Sequence, residues 1–204
     1  MKSIYQFFKK GVKWLISRLR RNYNKFRFFI LPNWYANYQG RIKLKGGIPI
    51  CGQRLCITGN GTVEIGQNCS FGAKLGGFNK YGTVEIQPRK KNAKIQIGSN
   101  VLTNNNVFIC SANYIEIGND TLIGQNVTIM DYDAHCIEPQ NRKMMGEVGK
   151  VIIGKNTWIG NNVSILKNVV LGENVIIGTG AVVTKSFPSN VIIGGVPAKI
   201  IKHI

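Results

Sequence analysis

Aliphatic side chains recur at every sixth residue through the second half of the chain. A second aliphatic or β-branched position lies two residues before each of them, so each unit carries two side chains on one face of a short strand. The sixth-residue frame consists of Ile97, Thr103, Ile109, Ile117, Ile123, Ile129, Ile153, Ile159, Ile165, Leu171, Ile177 and Val183.

A three-residue strand that ends in an open turn, often with glycine, does not pair with its neighbour as a hairpin. Three six-residue units instead make an 18-residue triangular coil, and successive coils stack about 4.8 Å apart through parallel ladders. The spacing therefore predicts an all-β fold, a parallel β-helix. It leaves the hand of the coil open, and the general rule for parallel crossovers favours a right-handed one.

The frame extends upstream, and the first residues depart from it. Residues 63–72 (VEIGQNCSFG) and 84–98 (VEIQPRKKNAKIQIG) carry the frame less regularly, which predicts earlier coils. Residues 1–35 are predicted to form a basic amphipathic helix, and residues 36–204 a β-helix domain that closes with a short C-terminal tail. The apolar positions at helical spacing are Ile4, Phe8, Val12, Leu15 and Leu19.

The frame breaks at two places. Between Ile109 and Ile117 the step is eight residues, which predicts a two-residue bulge or corner insertion. From Ile129 to Ile153 the step is 24 residues, and continuing by sixes would put polar residues into an aliphatic layer. Residues 131–150 are therefore predicted to leave the coil as a projecting loop.

This loop opens with DYDAH, which holds the one histidine inside the predicted domain, since the other, His203, is penultimate. A neutral imidazole can take a proton from a hydroxyl or amine, so His135 is a candidate general base. Asp131 or Asp133 would orient the ring, or would cap the loop through Asx-type hydrogen bonds. The alternative is a surface histidine paired with aspartate that has no catalytic role.

Charge narrows the range of partners. The net charge is +18, no acidic residue precedes Glu64, and residues 1–63 hold 13 Lys or Arg. This excess of positive charge favours a phosphate-rich partner. Three classes fit, namely an anionic membrane face, a nucleic acid and a phosphorylated substrate, and charge alone does not choose among them. Aromatic residues among the basic ones make the N-terminal helix a candidate interfacial anchor, with a cap on the open end of the β-helix as the alternative.

Cysteine spacing and hydropathy bear on metal and location. Five cysteines without CxxC spacing, together with two histidines, do not form a zinc-site pattern, so no metal is expected. No segment approaches the roughly 18 apolar residues of a membrane-spanning helix. Lys9 and Lys10 lie where a signal peptide would need its apolar stretch. We expect a cytoplasmic protein with reduced thiols.

Residues 151–202 (VIIGKNTWIGNNVSILKNVVLGENVIIGTGAVVTKSFPSNVIIGGVPAKIIK) carry the most specific motifs. Residues 63–200 resemble the hexapeptide-repeat acyltransferases, whose repeat is an aliphatic residue, glycine, two free positions and a small or β-branched residue. The resemblance implies a left-handed β-helix and a homotrimer with acetyl-CoA in the groove between subunits. It also implies that His135, at the start of its loop, is the catalytic base.

The motif positions imply an acetyl-CoA site and an acceptor site. From the thioester end to the nucleotide phosphates, the cofactor residues are Gly160, Asn161, Thr179, Thr184, Lys185, Lys199 and Lys202. The acceptor residues are Asn104, Arg142 and Trp158. Each set has an alternative interpretation. Lysines on a basic protein are usually solvated, and Arg142 also suits a solvated charge on the loop. Asn104 lies in TNNN (residues 103–106), which also suits a polar turn. Trp158 should point outward, onto a neighbouring subunit, the cofactor or the loop.

DYDAH and the long loop resemble the family members that modify polysaccharides. The resemblance therefore implies an acetyl-CoA-dependent O-acetyltransferase that acts on a sugar of a cell-surface polysaccharide, or on its lipid- or nucleotide-linked precursor. The enzymatic alternatives are N-acetylation of an amino sugar and acetylation of a small xenobiotic. The non-enzymatic alternative is a basic nucleic-acid-binding protein, which we do not favour because no binding module is recognisable.

Overall fold

In the described residues, two helices joined by a π-helical turn precede twenty short strands. The computed structural model describes residues 2–73 and 82–204, with side chains from residue 12 onward in the first helix. The helical elements are α1 (Lys2–Lys25), the π-turn (Phe26–Ile30), α2 (Leu31–Tyr38) and a 3₁₀ turn (Pro139–Asn141). The strands are β1 (Ile42–Leu44), β2 (Ile50–Cys51), β3 (Arg54–Ile57), β4 (Thr62–Ile65), β5 (Ser70–Phe71), β6 (Thr83–Pro88), β7 (Lys94–Ile97), β8 (Leu102–Thr103), β9 (Phe108–Ser111), β10 (Tyr114–Ile117), β11 (Leu122–Ile123), β12 (Thr128–Met130), β13 (Lys150–Ile153), β14 (Trp158–Ile159), β15 (Ser164–Ile165), β16 (Val169–Leu171), β17 (Ile176–Ile177), β18 (Val182–Val183), β19 (Val191–Gly194) and β20 (Lys199–His203).

The strands form three sheets that the chain visits in turn. Sheet A has the order β1-β4-β7-β10-β13-β16, sheet B β2-β5-β8-β11-β14-β17-β19-β20, and sheet C β18-β15-β12-β9-β6-β3. Pairing is parallel up to β19, and Ile153 pairs with Leu171, 18 residues further on. The predicted parallel β-helix is confirmed.

The core runs along the axis of this coil. In β6 buried residues alternate with half-buried ones, because side chains of a strand point alternately inward and outward. The frame residues Ile153, Ile159 and Ile165 of one coil are at most 1% exposed. Burying each such side chain contributes about 1.5–3 kcal/mol, so the repeated frame stabilises every coil in the same way.

Asparagine turns the corners of the coil. Ten non-glycine residues among those described have positive φ, and nine of these are asparagine. Left-handed backbone is costly for residues with a Cβ, and asparagine is among the few that adopt it routinely. The side chains also bond from coil to coil, as Asn174 does when it accepts from Asn156 (2.8 Å) and donates to Asn190 (2.7 Å).

Replacing Asn174 with alanine is expected to lower the free energy of unfolding by about 1–2 kcal/mol, because alanine is strained at positive φ and both ladder bonds are lost. Asn174→Gly loses the same bonds but accepts the backbone angle (φ 57°), so it should cost less. Urea unfolding followed by circular dichroism measures both variants. Equal losses would show that the hydrogen bonds, and not the backbone conformation, carry the effect.

The π-turn and α2 cover the open end of the coil. Phe29, Asn33 and Ala36 face the first coil and are at most 4% exposed. The Asn33 amide donates to the carbonyl of Leu55 (2.7 Å) and accepts from the backbone N–H of Ile57 (2.6 Å). It therefore satisfies backbone groups of β3, which is the edge strand of sheet C among the described residues.

The two chain ends differ from the sequence expectations. The helical region extends to Tyr38 instead of residue 35, because the face that covers the coil continues through Ala36. The expected C-terminal tail is a strand, β20, paired antiparallel with β19, whose edge groups would otherwise lack partners. Ile4 and Phe8 have side chains outside the described part of the chain. No helix in that part is long and apolar enough to cross a membrane.

Candidate active site

The predicted loop folds as an antiparallel hairpin, which we call the His135 hairpin (residues 131–149). Tyr132 and Val148 form an antiparallel bridge. The N–H of Asp133 donates to the carbonyl of Glu147 (2.9 Å), and the N–H of Gly146 donates to the carbonyl of Asp133 (3.0 Å). The hairpin leaves the coil where the chain passes from sheet C to sheet A, the C–A corner.

A second, smaller apolar cluster anchors this hairpin to the outer face of sheet C. Cys110, Ala112 and Tyr132 are buried there, and Met145 and Val148 pack against them. Burial raises the pKa of Tyr132 to about 12, so its hydroxyl stays neutral beside the Cys110 thiol at 3.2 Å. Apolar contacts therefore hold the base of the hairpin to the coil.

His135 lies on the exposed part of the hairpin. Within the described chain its ring has no hydrogen-bonding partner. Its backbone is closely packed, since a Cβ added at Gly146 would lie 2.6 Å from the carbonyl oxygen of His135. A held backbone and an open imidazole suit a group that meets a substrate from outside the chain.

Asp131 is fully buried at the start of the hairpin. Its carboxylate accepts four hydrogen bonds, from the Ser111 hydroxyl (2.6 Å) and from the N–H groups of Ala112 (2.7 Å), Asn113 (3.0 Å) and Tyr114 (2.7 Å). These four donors span the 111–114 turn, which accommodates the two-residue insertion that breaks the frame one coil earlier. Asp131 thus joins the two interruptions, and its oxygens have partners other than His135.

Asp133 belongs to an ion-pair cluster. The Lys167 ammonium lies 3.1 Å from Asp133 and 3.1 Å from Glu147, on the two strands of the hairpin. The hydrogen bonds to Asp133 and then to Glu147 raise the pKa of Lys167, and the bond from Lys167 lowers the pKa of Glu147. Lys167 lies on the next coil, so it ties both strands of the hairpin to the C–A corner.

Sequence reasoning did not select Lys167. Its partners lie 34 and 20 residues earlier in the chain, so no local pattern links the three charges. The available signal was only a lysine at a corner position that follows the frame residue Ile165.

The predicted cofactor and acceptor residues are distributed over different sides of the coil. Gly160, Asn161, Thr179 and Asn104 lie where the chain passes from sheet B to sheet C, the B–C corner. Thr184 and Lys185 lie at the C–A corner, while Lys199 and Lys202 are exposed on β20. Arg142 is at the hairpin tip, where its guanidinium donates to the carbonyl of Ile137 (3.0 Å).

Local contacts explain several of these residues. A Cβ at Gly160 would lie 2.7 Å from the N–H nitrogen of Thr179, so this corner requires glycine. The Asn161 side chain accepts from the N–H of Gln125 (2.9 Å), and that of Asn104 accepts from the N–H of Asn105 (2.8 Å). Asn104 thus forms the polar turn that was its alternative interpretation.

Trp158 is separated from His135 within one chain. Its side chain is 56% exposed on the outer face of sheet B, as the alternation of strand residues predicts. In a three-sided coil, sheet B is the face opposite the C–A corner. One chain therefore does not bring the imidazole together with Trp158.

Comparison with known proteins identifies the family. A family model described as bacterial transferase hexapeptide (six repeats) matches residues 150–185. WbbJ of Escherichia coli strain K12, provisionally named a lipopolysaccharide biosynthesis O-acetyl transferase, is 33% identical over 157 residues, which cover 72% of this chain and 74% of WbbJ. The chain belongs to the hexapeptide-repeat acyltransferase family.

Two further proteins, one matched by sequence and one by structure, are similar to this chain. A galactoside O-acetyltransferase of Lactococcus lactis subsp. lactis strain IL1403 is 34% identical over 146 residues, covering 69% of this chain, and the chain spans only 63% of that relative's length. A solved variant of AntD, an N-acyltransferase from Bacillus cereus in complex with dTDP and coenzyme A, matches with a TM-score of 0.60 and 20% identity, covering 83% of this chain and 89% of AntD. The likeness to AntD concerns the fold alone. The fold is the left-handed β-helix that the family resemblance implied, and the right-handed coil favoured by the general rule is wrong here.

Proposed function

We propose that this protein is an acetyl-CoA-dependent O-acetyltransferase that acts on a sugar of a cell-surface polysaccharide or of its lipid- or nucleotide-linked precursor. The observation that carries the proposal is the exposed His135 imidazole on a hairpin that Asp131, Lys167 and an apolar cluster hold to the coil. Family membership and the names of WbbJ and the galactoside O-acetyltransferase support the reaction and the acceptor class.

In the proposed mechanism, neutral His135 takes the proton of an acceptor hydroxyl as its oxygen attacks the thioester carbonyl of acetyl-CoA. A backbone N–H at the edge of the groove stabilises the tetrahedral oxyanion. The intermediate collapses with cleavage of the carbon–sulfur bond, and the imidazolium returns its proton to the departing thiolate. The products are the acetyl ester and coenzyme A, and the base is regenerated.

The donor site would use the exposed edges of the late coils. Gly160 and Thr179 offer backbone groups at the B–C corner for the pantetheine chain. Lys185, Lys199 and Lys202 are exposed and would supply cations for the nucleotide phosphates. Bound coenzyme A in the AntD structure is consistent with such a donor.

The site is proposed to require two copies of the chain within a homotrimer. Leu102, Leu122 and Trp158 are paired in register across sheet B and are 45%, 47% and 56% exposed. An exposed apolar row of this kind favours cover by a neighbouring protein surface. A second copy would bring its C–A corner, with His135, against this row and so unite residues that one chain holds apart.

Incubation of the purified protein with labelled acetyl-CoA and total lipid-linked and nucleotide-linked glycans should yield one class of labelled sugar, identified by mass spectrometry. The linkage should be an ester, cleaved by mild alkali, and light scattering should give three times the chain mass. An alkali-stable amide would replace the proposal with N-acetylation of an amino sugar. Failure to bind acetyl-CoA in calorimetry would overturn the enzyme assignment.

A further inference from the structure

One face of α1 is apolar, and the described part of the chain leaves it exposed. Val12, Ile16, Leu19 and Tyr23 follow the i, i+4, i+7, i+11 spacing of a single helix face. Each of these four side chains is more than half exposed, from 54% at Val12 to 61% at Leu19. A soluble helix normally buries such a row, so this face indicates a partner.

The side of α1 away from this row is rich in cations and also carries the exposed Trp14. Over residues 12–25 the helix carries five cations and no acidic residue, and no acidic residue occurs before Glu64. Lys13 and Arg20 are seven residues apart and flank the apolar row on one side. The cations are Lys13, Arg18, Arg20, Arg21 and Lys25.

The capping function does not require α1. Phe29, Asn33 and Ala36, which follow α1, already cover the first coil with buried side chains and hydrogen bonds. Covering the end of the β-helix therefore leaves the apolar row of α1 unexplained.

We propose that α1 docks on an anionic membrane surface, lying in the interface with its apolar row among the acyl chains and its cations among the lipid phosphates. An apolar row beside a cation-rich face is the pattern of an interfacial helix. Trp34, Tyr35 and Tyr38 are also more than half exposed at the end of α2 and suit the polar boundary of a bilayer.

The charge and the apolar row of α1 favour a membrane over two other partners, a second copy of α1 and a nucleic acid. A second α1 packed on the same row would bring cations together without any acidic partner on either helix. A nucleic acid would neutralise the cations but would leave the apolar row in water. The proposal does not depend on acetyl transfer, although it would hold the enzyme where lipid-linked sugars occur.

Sedimentation of the full-length protein with vesicles tests the proposal. Wild type should bind vesicles of equimolar phosphatidylglycerol and phosphatidylcholine, and should bind pure phosphatidylcholine vesicles at least about tenfold more weakly. Ile16→Glu/Leu19→Glu and Lys13→Gln/Arg20→Gln should each weaken binding to the anionic vesicles about tenfold or more. Lys90→Gln/Lys91→Gln removes two exposed charges from a turn outside α1 and should stay within about twofold of wild type.

Several outcomes would overturn the assignment of α1. Equal weakening by the Lys90/Lys91 control would mean that total charge, and not α1, drives binding. A fall in molecular mass for Ile16→Glu/Leu19→Glu without loss of vesicle binding would show that the apolar row packs against a second copy of the chain. If wild type bound labelled RNA but no vesicles, and Lys13→Gln/Arg20→Gln abolished the RNA binding, α1 would be a nucleic-acid-binding helix. Circular dichroism and acetyl transfer by each variant report whether the β-helix is intact.

Discussion

Replacing His135 with alanine is expected to lower the rate of acetyl transfer by at least about 10²-fold, because general-base catalysis typically contributes 10²–10⁴-fold. The side chain is exposed and has no hydrogen-bonding partner in the described chain, so its removal should leave the fold, the molecular mass and acetyl-CoA affinity unchanged. Steady-state kinetics, unfolding curves and calorimetry measure these quantities together.

The matched control is His203→Ala, which removes the other imidazole of the chain from β20. This variant should transfer acetyl groups at close to the wild-type rate. A His135→Ala protein with near-wild-type activity would remove His135 from the mechanism. A loss of acetyl-CoA binding in that variant would instead make the histidine part of the donor site.

Replacing Asp131 with alanine should produce the largest loss of stability, about 3 kcal/mol or more. Four hydrogen-bond donors at the 111–114 turn would lose their acceptor, and each buried unsatisfied group costs about 1–3 kcal/mol. The free energy of unfolding in urea measures the effect. The hairpin should loosen as well, so activity should fall with stability.

Asp133→Asn is the comparison for this prediction. Its ion pair with Lys167 is partly exposed, and such pairs contribute about 0–1 kcal/mol, so the variant should remain nearly as stable as wild type. If Asp131→Ala instead lowered kcat at unchanged stability, Asp131 would act on the histidine and not on the turn. The two aspartates of DYDAH are thus separable by experiment, whereas their sequence spacing treats them alike.

The coil could be predicted because its signal is repeated. Each inward position such as Ile153 or Ile165 must be aliphatic to enter the buried axis, and the rule recurs in every coil. The same rule predicted where the chain leaves the axis, since His135 would fall on an inward position. Departures from a strict repeat are conspicuous even in a single sequence.

The contacts that support the site could not be predicted in the same way. Asp131 meets Ser111 because two separate interruptions of the frame stack at one corner, one coil apart. Lys167 meets Asp133 and Glu147 because successive coils bring distant residues to the same corner. Neither relation leaves a local pattern, since each depends on how many residues every coil contains.

The sequence by itself determined the period, the parallel β-helix and the place where a loop that holds His135 leaves the coil, because burial along one axis restricts residue type at fixed intervals. Only the tertiary structure decided which side of the coil each candidate occupies. It directs Asp131 inward to a turn, holds Asp133 with Lys167, and puts Trp158 on the face opposite the hairpin. The physical reason is that residues at neighbouring positions of the repeat project from different faces of a triangular coil, so closeness in sequence does not give closeness in space.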